Sequence, residues 1–277
     1  MQHTTDQFLA AGGVTIFTQA WTPADGPPKA LIVLAHGFGE HSGRYQHVAK
    51  AFTDAGYGVA TFDHRGHGRS GGPRARVSDI SQLSADLALY RAEVATRFDQ
   101  PQILLGHSVG GAVVLHHLQQ EHPPVKAVVL SAPYIRNAAP VSAPLKFLSP
   151  IIGRIVPAAP TVKLDANSVS RDPAVVSAYE NDPLVFHGKI PAGTAATLLS
   201  LEQSLLTHAD RVSEPTLILH GVEDQLADVA GSRDLARRLG SEVVELKTYD
   251  GLHHEVFNEP EQDEVLADVT SWLDDHL

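Results

Sequence analysis

Apolar positions in this 277-residue chain fall into short unbroken runs separated by longer stretches of helical spacing. Residues 30–35 (ALIVLA) form one such run. It is too short for a helix and lacks polar alternation, which suits a strand buried on both faces. Residues 58–62, 102–105, 126–130 and 216–219 read the same way, and 242–249, more polar, reads as a strand nearer an edge. Residues 80–98, 109–121, 230–239 and 261–276 carry helical spacing, and 14–21 suggests an early antiparallel strand. Strand runs alternating with helical segments predict an α/β protein, a mostly parallel central sheet flanked by helices.

The rhythm stops after Ser131. From 133 to about 210 no strand–helix unit is visible, and Pro140, Pro144, Pro150, Pro157, Pro160, Pro173, Pro183 and Pro191 divide short apolar pieces. A structureless loop of that length is improbable inside a compact domain, so the stretch is expected to hold several short helices. The division is therefore a core of residues 1–132 and 211–277 with an inserted helical cap at 133–210. In residues 144–157 (PLKFLSPIIGRIVP), Ser149-Pro150 reads as an N-cap and first helical residue, or as a kink within one longer helix. Leu145, Leu148, Ile152 and Ile155 fall on one face of it, and Phe147 and Ile151 widen the stripe.

Gly106-His107-Ser108-Val109-Gly110 matches G-x-S-x-G where a strand run hands over to a helical segment. That turn is sharp and strained, needs small residues on either side, and holds a serine above the sheet at a helix N-terminus. A serine hydroxyl is a poor nucleophile at neutral pH and needs a base oriented by an acid. In this arrangement the acid follows a later strand and the base follows the last one. Asp224, after 216–219, is the expected acid, with Glu223 and Asp228 as competitors. The base is His253 or His254, and spacing alone does not choose between them. Backbone N–H groups of Val109 and of Phe38, in the glycine-flanked loop after 30–35, are the expected oxyanion donors.

Composition removes other classes. A formal charge of −11 argues against a nucleic-acid partner. The absence of cysteine excludes disulfides, thiolate ligands and a cysteine nucleophile. Sixteen histidines raise the question of a metal, but no H-E-x-x-H or comparable ligand set occurs. No G-x-G-x-x-G opens a helix, so neither metal nor cofactor is expected. The N-terminus lacks a basic-then-apolar leader and no run reaches about 18 apolar residues, which makes a cytoplasmic protein the expectation.

Several blocks are more specific than the serine turn. They are His36-Gly37-Phe38-Gly39-Glu40-His41-Ser42-Gly43-Arg44-Tyr45 and Phe62-Asp63-His64-Arg65-Gly66-His67-Gly68-Arg69-Ser70, with Ser170-Arg171-Asp172-Pro173 and the run from Tyr249 to Pro260. With Gly106 to Gly111, they make the chain closely resemble the monoacylglycerol lipase and lysophospholipase family over nearly its whole length. The resemblance implies the α/β-hydrolase fold and selects His254, the histidine just before Glu255, as base, with Asp224 as acid. It implies a cap roofing an acyl-binding tunnel, and monoacylglycerols or lysophospholipids as substrates. The chain departs from the family at Val109, usually methionine, and at His253, usually not histidine. The apolar segment 144–157 reads as a helix packed on its own core, or as a lid. A lid would put Leu145, Leu148 and Ile152 against the acyl chain. Its outer side would touch a lipid surface transiently, with Lys146 and Arg154 near headgroups. The rival readings are an esterase for small or aromatic monoesters, a thioesterase, a cofactor-free perhydrolase, and a non-catalytic binding protein. Oligomeric state has no signature in the sequence.

Overall fold

The computed structural model describes residues 1–277. In chain order the first half contains β1 (Gln2–Ala10), β2 (Val14–Thr22), β3 (Leu31–Ala35), α1 (Gln46–Asp54), β4 (Gly58–Phe62), α2 (Ile80–Arg97), β5 (Gln102–His107), α3 (Val109–Glu121) and β6 (Ala127–Ser131). An insertion follows with α4 (Ala143–Ile155), β7 (Pro160–Lys163), α5 (Pro173–Asn181), β8 (Lys189–Pro191) and α6 (Ala192–Thr207). The chain then returns through β9 (Thr216–Gly221), α7 (Val229–Ala236), β10 (Val244–Tyr249) and α8 (Gln262–His276).

Eight strands form one sheet in the order β1-β2-β4-β3-β5-β6-β9-β10, parallel from β4 to β10 and antiparallel at β1 and β2. The continuous apolar runs become its centre because helices cover both faces. Side chains alternate accordingly. Leu31, Val33 and Ala35 of β3 join one core cluster with residues of α2 and α3, while Ile32 and Leu34 join another with residues of α1 and α8. β10 lies at an edge, as its polarity implies.

Two elements escape the apolar pattern. β1 is the other edge strand and is almost wholly exposed, so its sequence is polar. It is held by pairing with β2 across a turn in which Gly12 and Gly13 take positive φ. α1 is a nine-residue helix that buries only Val48, Ala49, Phe52 and Thr53, too brief a period to register.

The insertion contains three helices and, unexpectedly, a small antiparallel β7–β8 pair. Pro150 lies inside α4, so the single-helix alternative holds there. Leu198, Leu201 and Leu205 of α6 sit in the main core with Val113 and Leu115 of α3, whereas the insertion's own cluster is only Val169, Tyr179 and Val185. α4 packs on α6 closely: a Cβ added at Gly153 would lie 2.7 Å from the Ala196 Cβ. No helix is long and apolar enough to cross a membrane.

Candidate active site

The chain leaves β3 toward β4 on one side and returns through β5 on the other, which opens a crevice at the carboxyl ends of β3 and β5. Ala35 pairs with Gly106, so the segments following both strands emerge side by side. One carries Gly37 and Phe38; the other carries Ser108. Ser108 has φ 52° and ψ −118°, a strained conformation for a residue with a side chain. Its N–H donates to Ser131 O at 2.9 Å and its carbonyl accepts from Tyr134 N–H at 2.9 Å, which holds the turn against the end of β6. A Cβ at Gly110 would lie 2.1 Å from Ala35 O, and one at Gly106 would lie 2.6 Å from Gly110 O. Backbone alone fits there, which explains both glycines of G-x-S-x-G.

Val109 is the first residue of α3, so its N–H has no acceptor within the helix. The Phe38 N–H makes no hydrogen bond in the protein. Ser108 lines the same cavity as Phe38, Val109 and His254.

β9 and β10 end in register, Gly221 opposite Tyr249, and bring the remaining candidates together. His254 Nδ1–H donates to Asp224 Oδ2 at 2.6 Å. The other Asp224 oxygen accepts Leu226 and Ala227 N–H at 2.8 and 3.0 Å. His220 Nε2–H points at both Ala227 O (3.0 Å) and Asp224 Oδ2 (3.1 Å), a tautomer consistent with Ser232 Oγ–H donating to its Nδ1 at 2.7 Å. Burial raises the Asp224 pKa, but the charge of His254 and hydrogen bonds from His220 and His254 outweigh it, so the carboxyl stays well below the usual carboxylate range. Burial pulls the His254 pKa down, and the adjacent Asp224 charge overrides it and raises it. Neither competing acid meets His254. Asp228 caps α7 by accepting Ala230 N–H at 2.8 Å, and no side-chain hydrogen bond involves the Glu223 carboxylate. Of the adjacent histidines, His254 faces Ser108's cavity, and His253 has a buried Nδ1 without a partner.

The cavity holds about 600 Å³. Its roof is the insertion, with Leu145, Ile152, Val162, Ile190 and Leu198 among its lining. Leu148, expected beside Leu145 and Ile152, is not part of that lining. The correction follows from helix geometry. Leu145, Ser149 and Ile152 recur at i, i+4 and i+7 and line the cavity, whereas Leu148, with Ile151 and Ile155, lies to one side of that row and outside the lining.

A model of the family described as "Serine aminopeptidase, S33" matches residues 26–261. The chain belongs to this family of serine hydrolases. It is 47% identical to the monoacylglycerol lipase of Mycolicibacterium smegmatis over 271 residues, covering 98% of this chain and 96% of that one. It is 32% identical to the monoglyceride lipase of Rattus norvegicus over 267 residues, covering 95% and 88%. The crystal structure of Paleococcus ferrophilus monoacylglycerol lipase superposes with a TM-score of 0.83 at 28% identity and full coverage of both chains.

Motif reading missed the side chains that brace the site in this family member. Glu40 Oε1 accepts Gly37 N–H at 2.6 Å and Tyr45 O–H at 2.7 Å, which fixes the loop carrying Phe38. Arg44 donates to Glu40 and, through two bonds of 2.6 and 2.7 Å, to Glu255. Glu255 follows His254 directly, so this buried group joins the two loops. His107, beside the serine, holds its ring tilted 54° to that of His254 with centroids 4.8 Å apart, and burial, aided by the His254 charge, pushes its pKa down to about 4. His64 N–H donates to His36 Nε2 at 2.9 Å, while His64 Nε2–H donates to His36 O at 3.0 Å. These two act as structural pins. Glu40 and Arg44 stand inside the His36–Tyr45 block, but no spacing rule reveals that a residue 211 positions from Arg44 completes their network.

Proposed function

We propose that this protein hydrolyses monoacylglycerols to fatty acid and glycerol through an acyl-enzyme on Ser108. The observation that carries the reading is the apolar cavity of about 600 Å³, with Ser108 and His254 in its wall and the insertion as its roof. His254 Nε2 takes the hydroxyl proton as Ser108 Oγ bonds to the ester carbonyl carbon. The Val109 and Phe38 amides hold the oxyanion that forms. Protonated His254, held by Asp224, gives its proton to the departing glycerol oxygen as the acyl C–O bond breaks. Water then attacks the acyl-enzyme with His254 again as base, and the fatty acid leaves. The M. smegmatis and rat relatives carry names consistent with this substrate.

A single acyl chain gains about 0.8 kcal/mol per buried methylene in such a cavity, which favours lipid over acetate esters. Residues 133–210 act as the lid. The outer side of α4 exposes Phe147 (79%), Ile151 and Ile155 (73%), with Arg154 beside them. That face suits reversible contact with a lipid surface. Purified protein should cleave monoacylglycerol much faster than di- or triacylglycerol of the same chain length. Comparable rates on triacylglycerol emulsions, or turnover of short aromatic esters alone, would overturn the reading.

A further inference from the structure

Two residues that take no part in the chemistry above, Arg171 of the insertion and Glu259 of the block carrying His254, meet behind the base. Glu259 is fully buried. Its Oε1 accepts the His253 N–H at 2.9 Å, from the residue immediately before His254. The same carboxylate accepts from the insertion: the Arg171 backbone N–H at 3.2 and 3.3 Å to its two oxygens, and Arg171 Nε–H at 3.1 Å. The contact is reinforced on either side. Ser170 Oγ–H donates to Asn258 O at 2.9 Å, and Glu255 N–H donates to Val169 O at 2.8 Å. Ser168 and Val169, in the same strip of the insertion, line the cavity.

We infer that Glu259 is a positioning residue for His254, with Arg171 as its partner from the cap, so that the wall of the acyl cavity and the loop carrying the base are fixed by one buried carboxylate. A charge with that many donors aimed at it is secured only while both elements are in place. Loosening it frees residue 253 and lets the imidazole drift from Asp224, and a displacement of that kind is costly to the rate because the reacting groups must be aligned. The inference rests on the assignment of His254 as base.

The test is a steady-state series on a soluble short chromogenic ester, with Glu259→Gln, Arg171→Ala, Arg171→Lys, Glu261→Ala and His254→Ala. Glu259→Gln should lower kcat about 10- to 100-fold and Arg171→Ala roughly tenfold, each with KM nearly unchanged. The acid limb of the pH profile should move to lower pH in both, because an imidazole less firmly held by Asp224 loses part of its raised proton affinity. Arg171→Lys should recover part of the loss. Glu261→Ala, which removes the other ion pair of Arg171, should behave as wild type. Arg171 is partly exposed, so its variants keep the test alive if Glu259→Gln fails to fold. An unshifted acid limb with unchanged kcat in Arg171→Ala, or losses that follow only the thermal midpoint, would sink the inference. Retained activity in His254→Ala would instead remove the base assignment beneath it.

Discussion

On the floor of the cavity every backbone approach is tight, whereas on its roof an apolar helix stands half in solvent. The floor has Ser108 in a strained turn, glycines that meet carbonyl oxygens, and histidines and carboxylates locked by short hydrogen bonds. Catalytic alignment tolerates little displacement, so the floor is made of over-determined contacts. α4 is anchored through Gly153 and through Lys146, which donates to Glu202 of α6 at 2.6 Å, and apart from Leu145 and Ile152 in the cavity lining it presents large apolar side chains outward. On the proposed function its residues have room, because an acyl chain would be recognised by apolar area rather than by exact geometry.

That contrast can be broken first at the nucleophile. Ser108→Ala should reduce ester turnover by about 10⁴-fold or more and abolish labelling by a fluorophosphonate. His254→Ala should be nearly as damaging, and His253→Ala mild. A near-normal rate in the serine variant would remove the floor's role altogether.

Glycine-to-alanine changes compare the two regions in stability. Gly110→Ala drives a Cβ to 2.1 Å from a backbone carbonyl that cannot move without distorting β3, and should cost about 4 kcal/mol or more. Gly153→Ala meets a side-chain carbon at the α4–α6 crossing, where the helices can separate slightly, and should cost about 1–3 kcal/mol. Denaturant unfolding midpoints measure both, and equal losses would contradict the proposed difference in rigidity.

Acid should also strike the floor before the roof. Burial pushes His64 down to about 3 and His67 to about 4, each ordinary once unfolded. The unfolded chain therefore binds their protons from about pH 6.5 downward while the folded chain resists. Stability is full above that pH and falls as pH drops toward 4. The activity limb has the opposite origin. His254 is raised above its ordinary value, so kcat/KM should fall with acidification at higher pH than unfolding does. Coincident pH profiles for activity and unfolding would refute this separation.

The smallest effects belong to α4. Leu145→Ser and Ile152→Ser should lower kcat/KM for long-chain esters by roughly tenfold and spare short ones. Leu148→Ser and Phe147→Ser should leave catalysis on soluble esters intact, shift stability by about 0.5 kcal/mol or less, and weaken sedimentation with lipid vesicles. An equal loss from Leu148→Ser would place that residue back at the substrate.

The sequence by itself determined whatever depends on near neighbours. Five buried strands and four helices are legible because their periods repeat over short spans. The serine turn is legible because strand, glycines and helix are contiguous. Asp224 and the His253-His254 pair follow from position after a strand, and the choice of His254 came from resemblance to a family. Tertiary structure decided the rest. β1 is held chiefly by pairing with β2 and is mostly exposed, so its composition carries little apolar signal before Phe8. Which side of α4 meets the cavity depends on how α6 holds it, and this leaves Leu148 outside the lining although its spacing matches Leu145. Arg44 bridges Glu40 to Glu255, and Arg171 reaches Glu259 from 88 positions away. Charged side chains of that kind look like ordinary surface residues until folding removes the water that would otherwise satisfy them, and only then does each require one particular partner.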